Sequence, residues 1–241
     1  MNTFFGPNWD LEPSVVAGCA ALALGYIAVA RKRGLSRMPY FLAGVVLLLL
    51  DLISPIDTLA DRYLFSAHIV QHFLLALVIP PLLLLGTPVF KLGALNKLER
   101  AVGQPPVSWL LGVGTMLAWH IPALFNAALA NDGLHIFQHL SFLVTGVIFW
   151  WPILGPLEDR RLPALGAVAY LFSACVCCSL LGAFLTLGPS GLYPAYIGYG
   201  GLDARSDQQL GGMLMWVPGC FVYLSGILST VLRWYGAERT A

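Results

Sequence analysis

Charge is what this sequence has least of. Only 10% of its 241 residues are Asp, Glu, Lys or Arg, where a soluble domain carries about 25%. The net charge is +1, and no basic groove or run of stacking aromatics is present, so no nucleic-acid partner is expected. Cysteine is also sparse. Cys19, Cys175, Cys177, Cys178 and Cys220 all fall inside apolar runs, so a disulfide framework is not expected. The word "CVCC" at 175–178 lies deep in one such run and reads as small residues at a helix contact rather than as a metal motif. The longest loop, about Gly188–Gln209, is too short to bury a core of its own. Residues 1–241 are therefore expected to form a single domain.

What the chain has in abundance is hydrocarbon: 58% of its residues are hydrophobic. Apolar runs of about 18 residues or more recur along it, each long enough to cross a bilayer as a helix. Seven spans can be drawn, at about Pro13–Ala30, Pro39–Ser54, Leu64–Gly86, Val107–Leu129, Leu134–Leu154, Leu165–Leu187 and Leu210–Leu232. The second is short enough to be tilted or partly re-entrant. The expected fold is an all-α membrane protein, a seven-transmembrane helix bundle. Of the 13 lysines and arginines, all but Arg62 and Arg205 follow spans one, three, five and seven. The positive-inside rule makes that side cytoplasmic, with the N-terminus outside and the C-terminus cytoplasmic. The opening "MNTFFGPNWDLEP" has no basic n-region and is not read as a cleaved signal peptide.

Histidine is scarce too, and its placement is the most informative feature. Four of the five histidines occur in two near-copies of one word, "HIVQH" at 68–72 and "HIFQH" at 135–139. Residues i and i+4 share a helix face, so each word presents two imidazoles in a column. By helical rise, His68 lies roughly 6 Å, His72 roughly 12 Å and His120 roughly 13 Å below the outer ends of their spans. All five histidines, with His135 and His139 opening span five, fall in the outer half of the membrane. Buried ionisable groups in a membrane usually face the bundle interior. His68, His72, His120, His135 and His139 are therefore the candidate metal ligands. His135, at the start of its span, is the member most exposed to the headgroup region.

A further group of polar residues stands ready to orient those rings or hold their protons: Asp51, Gln71, Gln138, Asp207, Gln208 and Met213. Each has a plainer reading beside it. Asp207 is equally an N-terminal cap for the seventh helix. Met213 and Met215 serve more often as apolar fillers than as soft ligands. Pro80–Pro81, Pro122 and Pro152 read as kinks that open space between helices. Trp150, Trp151, Trp234 and Tyr235 at the inner ends, and Tyr193, Tyr196 and Tyr199 at the outer, read as interfacial belts.

Taken in order, "HIVQH…IPPLLLLGTP", "AWHIPALFNAAL", "HIFQHLSFLVTGVIFWWP", "SLLGAFLTL…LYPAY" and "DQQLGGMLMWVPG" resemble the CtaG family of multispan cytochrome c oxidase assembly factors. The resemblance implies a multi-pass protein of the bacterial inner (cytoplasmic) membrane, needed for maturation of haem–copper oxidase. Its implied partners are oxidase subunits or a copper chaperone, with copper as the suspected ligand. The five histidines and Asp207–Gln209 fall on the family's characteristic polar positions. Gln138 departs from the Glu expected there in many relatives; it can hydrogen-bond an imidazole but cannot take charge.

Three activities compete. The first is a copper-handling assembly factor, which exchanges ligands and needs no enzymatic step. The second is a membrane haem protein moving electrons, since paired histidines on facing helices hold bis-imidazole haem. A proton pathway ranks last, because the inner half of the bundle carries almost no buried polar residues. A scaffold that holds no metal is the plain alternative to all three.

Overall fold

The computed structural model describes residues 9, 11–32, 34–88, 103–196, 198–199 and 201–238. Lys91, Lys97 and Arg100, with Arg33 and Arg239, lie outside the described residues, so their side of the charge asymmetry is represented by Arg31, Lys32, Arg37, Arg160, Arg161 and Arg233. Among the described residues the chain is almost wholly helical: α1 (Pro13–Ala30), α2 (Met38–Ile53), α3 (Pro55–Arg62), α4 (Phe65–Gly86), α5 (Pro105–Trp119), α6 (Pro122–Leu129), α7 (Asp132–Leu154), α8 (Ala164–Leu187) and α9 (Ala204–Glu238). One two-stranded antiparallel ribbon, β1 (Gly198–Tyr199) with β2 (Leu202–Asp203), precedes α9.

Prolines mark where these helices begin. Pro13, Pro39, Pro55, Pro105 and Pro122 sit in first turns, where the missing N–H would lack an intrahelical partner anyway. Side-chain caps finish other starts. Asn131 Oδ1 accepts from Leu134 N at 2.9 Å, and Asp203 Oδ1 accepts from Arg205 N and Ser206 N at 2.9 Å each.

Helices α1, α4, α7, α8 and α9 are each long and apolar enough to cross a membrane. Two further pairs pass the same test together: α2 with α3, bent by 50°, and α5 with α6, bent by 74°. The chain is a multi-pass membrane protein with five such helices, or up to seven if each bent pair is one span. Both bends fall at a residue before proline, Ser54 and Ile121. Each is pushed to extended backbone because the proline ring crowds the helical conformation there.

Contacts fix the helix directions. His68 meets His135, His72 meets His139, and Ala76 meets Gly146, so α4 and α7 run side by side in the same direction. Gly112 meets Phe149 and Trp119 donates to Ser141, so α5 runs antiparallel to α7. Helix α9 lies along α4, with Gly211 against Phe65, and it packs antiparallel to α8.

Pro80 leaves its mark on α4. It has no N–H to give the carbonyl of Ala76, and residues Leu74–Val78 widen into a π-helical turn. Gly146 of α7 fits against that turn: a Cβ there would lie 2.8 Å from the Ala76 carbonyl oxygen and 2.8 Å from Pro80 Cγ.

Several aromatic residues sit deeper than an interfacial belt allows. Tyr193 and Tyr196 turn into the bundle and are almost wholly buried, because their hydroxyls find carbonyl partners there. Trp150 is core, packed with Phe149 and Tyr223. Trp234 and Tyr235 are exposed, and Tyr199 stacks at a tilt on Tyr63.

Candidate metal centre

The first two turns of α4 carry His68 and His72 on one face, and the first two turns of α7 carry His135 and His139. Because the two helices run in parallel, the columns stand next to each other. His120 comes from a third direction, at the bend between α5 and α6. The rings form one connected group, with centroid separations of 4.3 Å for His68–His72, 5.2 Å for His68–His135 and 5.5 Å for His68–His139. His72 lies 5.6 Å from His139 and 5.8 Å from His120, and His135 lies 4.2 Å from His139. The ligand atoms of His68, His72 and His139 all fall within 4.8 Å of one another, and so do those of Asp61, His68 and His135.

Hydrogen bonds assign the protons. Tyr196 donates its hydroxyl to the Ala60 carbonyl at 2.7 Å, so its oxygen is free to accept from His68 Nδ1 at 2.9 Å. That puts the His68 proton on Nδ1 and leaves a lone pair on Nε2. Nε2 points at His72 Nε2, 2.8 Å away. His120 donates Nδ1–H to the Met116 carbonyl at 2.7 Å, which leaves its Nε2 as a lone pair too. Buried nitrogens without a hydrogen-bond partner include His72 Nδ1, His120 Nε2, His135 Nε2 and His139 Nε2. Leaving such an atom unmatched costs about 1–3 kcal/mol each. A cation shared among the lone pairs would satisfy several at once.

Aromatic rings keep the group dry. Phe142 lies 4.2 Å from His72 and Phe125 lies 4.9 Å from His68, centroid to centroid. The open side is at His135, whose Nε2 lies 3.7 Å from an oxygen of the exposed Asp61.

The polar residues expected around the histidines divide. Asp207 is completely buried and accepts from Phe65 N at 2.7 Å and Ser66 N at 3.1 Å. It caps the start of α4, whose own preceding residue, Leu64, offers no side-chain cap. This differs from both sequence readings, for it neither caps its own helix nor faces the rings. Gln208 donates to the carbonyls of Leu185 and Pro189, at 3.1 and 3.0 Å, and closes the end of α8 away from the histidines. Met213 is 48% exposed on the outside of the bundle and takes no part; Met215, two residues on, is the one turned inward. Gln71 ties α4 to the α2–α3 bend, donating to the Asp51 carbonyl at 3.0 Å and to Asp57 Oδ1 at 2.8 Å. Asp51 and Gln138 are buried; the Asp51 carboxylate oxygens make no hydrogen bond, and the Gln138 amide lies against the His68 ring.

Sequence reasoning passed over Asp61, Tyr196 and Met116. Tyr196 stands in the quoted word "LYPAY", and Met116 precedes His120 by one helical turn, so both carried a signal. Asp61 lies in "TLADRY", between spans, and carried none.

The sequence profile of the cytochrome c oxidase caa3 assembly factors (Caa3_CtaG) matches residues 20–237. This chain belongs to that family. Among curated proteins, an uncharacterized protein of Mycobacterium leprae is 25% identical, covering 94% of this chain and 39% of its own length. Uncharacterized proteins of Mycobacterium bovis and Mycobacterium tuberculosis are each 29% identical, covering 96% of this chain and 40% of their own. The chain thus spans about two fifths of the length of the curated relatives it matches. No solved structure matches.

Proposed function

We propose that this chain handles copper during cytochrome c oxidase assembly, holding the ion as cargo on His68, His72 and His139. The observation that carries the reading is the convergence of those three ligand atoms within 4.8 Å in a dry, aromatic-lined site. Imidazole suits copper, zinc and iron alike; the family's link to a haem–copper oxidase favours copper. Asp61 and His135, at the open side, receive the ion before it passes inward. The work is ligand exchange, so the protein is not an enzyme. Residues 1–241 act as a single seven-span domain, N-terminus outside and C-terminus cytoplasmic, in the bacterial inner membrane. In that orientation the histidines open toward the periplasm, where an oxidase subunit or a copper chaperone would dock.

The haem alternative is less well supported by the same rings. His68 and His72 touch each other, and Phe125 and Phe142 fill the gaps, which suits a small ion better than a macrocycle. Copper retention by the purified protein tests the reading. The His68→Ala/His72→Ala/His139→Ala variant is expected to lose the copper that the wild type keeps. Equal retention by both would defeat the proposal, and a Soret band in the wild type would favour haem.

A further inference from the structure

A second set of donors lines a cavity beside the triad, and His72 is the member common to both. Helices α4, α5, α7, α8 and α9 line a small cavity of about 40 Å³. Most of its wall is hydrocarbon, from residues such as Ile69, Leu77, Val113 and Phe149. Two imidazoles and two thioethers interrupt it: His72, His120, Met116 and Met215. Cys178 also reaches the cavity, but its thiol is directed to the Met215 carbonyl at 3.6 Å.

Neighbours have already oriented the nitrogen donors. His120 is held by the Met116 carbonyl through Nδ1–H, so its buried, unpartnered Nε2 is a bare lone pair. His72 turns Nε2 toward His68, and its other nitrogen, Nδ1, is buried without a partner. The two ring centroids are 5.8 Å apart, close enough for one ion to be shared between the rings. Met116 stands one turn from His120 on the same helix. No carboxylate lines the cavity among the described residues. Neutral nitrogen and sulfur donors in a low-dielectric wall select a soft monovalent ion over a divalent one. The π-helical turn Leu74–Val78 supplies Ala76 and Leu77 to the same wall, and such turns recur at functional sites.

We propose that this cavity is a second metal station, for Cu(I), with His72, His120 and Met116 as ligands and His72 as the ring it shares with the triad. The proposal rests on the copper reading of the triad for the identity of the ion, and adds a site of different donor chemistry. His72 offers Nε2 to the outer station and Nδ1 to the inner one. As a neutral imidazole the ring serves one station at a time, its proton resting on the nitrogen that faces the other, and an ion moving inward trades imidazole partners for a thioether.

Sulfur scattering in copper X-ray absorption distinguishes the stations, because the triad has none. Protein is loaded without oxygen, with Cu(I) as the only added metal. The wild type is expected to show sulfur in the copper shell, and Met116→Leu, which conserves volume, to lose it. The His68→Ala/His139→Ala variant is expected still to bind one Cu(I), with sulfur present, and to lose it when His120→Gln is added. Should that double variant fail to fold, Met116→Leu and His120→Gln in the intact chain give the same reading. A wild type that binds copper with no sulfur, or sulfur that survives Met116→Leu, overturns the inner station and leaves the triad standing. A wild type that binds no copper at all overturns both.

Discussion

The Nε2 atoms of His68 and His72 face each other at 2.8 Å, one turn apart on the same helix. At that distance a single proton joins them. An ion held by three imidazoles needs about 2 Å to each nitrogen, so binding must spread the pair to about 3.3–3.5 Å. The strain falls on whatever holds the rings from behind. For His68 that is Tyr196, 128 residues away in the chain.

Tyr196→Phe removes the hydroxyl that accepts from His68 Nδ1 and leaves only the Ala60 carbonyl at 3.4 Å. The ring keeps only a long hydrogen bond to fix its tautomer and its orientation. Copper affinity is expected to fall by about 10–100-fold, the usual consequence of losing a group that orients a ligand. Competition with a chromophoric Cu(I) chelator measures it; unchanged affinity would show that His68 needs no such support.

Asp207→Asn should act on stability before it acts on the rings. The carboxylate accepts from both Phe65 N and Ser66 N at the start of α4. An amide keeps one oxygen and loses the charge that complements the helix dipole. The expected loss is about 1–2 kcal/mol, read as a lower melting temperature in detergent. Asp207→Ala should lose more than Asn, and an equal loss would mean that the charge carries the cap and a neutral oxygen adds nothing.

Much of this was legible in the sequence, and the reason differs from residue to residue. The spans were visible because lipid demands long apolar runs, and the depth of the histidines follows from helical rise alone. Which rings meet is not a property of any one helix. Consecutive spans make α5 antiparallel to α7, and Pro122 marks the break at His120, but topology does not fix that α5 packs where His120 meets His72. Tyr193 and Tyr196 were read as an interfacial belt because tyrosine is common there. They are core because the loop before α9 folds back into the bundle, a long-range event with no periodic signal. The role of Asp207 was hidden for a similar reason: its partners are 142 and 141 residues away.

Gly146→Ala tests the packing that brings α7 onto the widened turn of α4. The new Cβ would press on the Ala76 carbonyl and on Pro80 at 2.8 Å each, and the carbonyl is backbone that cannot rotate away. The two helices must part. A destabilisation of about 1–3 kcal/mol is expected, together with weaker copper binding, since His72 and His139 ride on these two helices. Denaturant unfolding in detergent and the same chelator competition report the two effects.

The most direct test of the copper reading is an anomalous difference map from crystals grown with Cu(I), collected on both sides of the copper edge. The account predicts a peak that appears only above the edge and lies within coordinating distance of His68, His72 and His139. A loaded crystal with no such peak near those rings, or a peak that persists below the copper edge and tracks another metal, would contradict it.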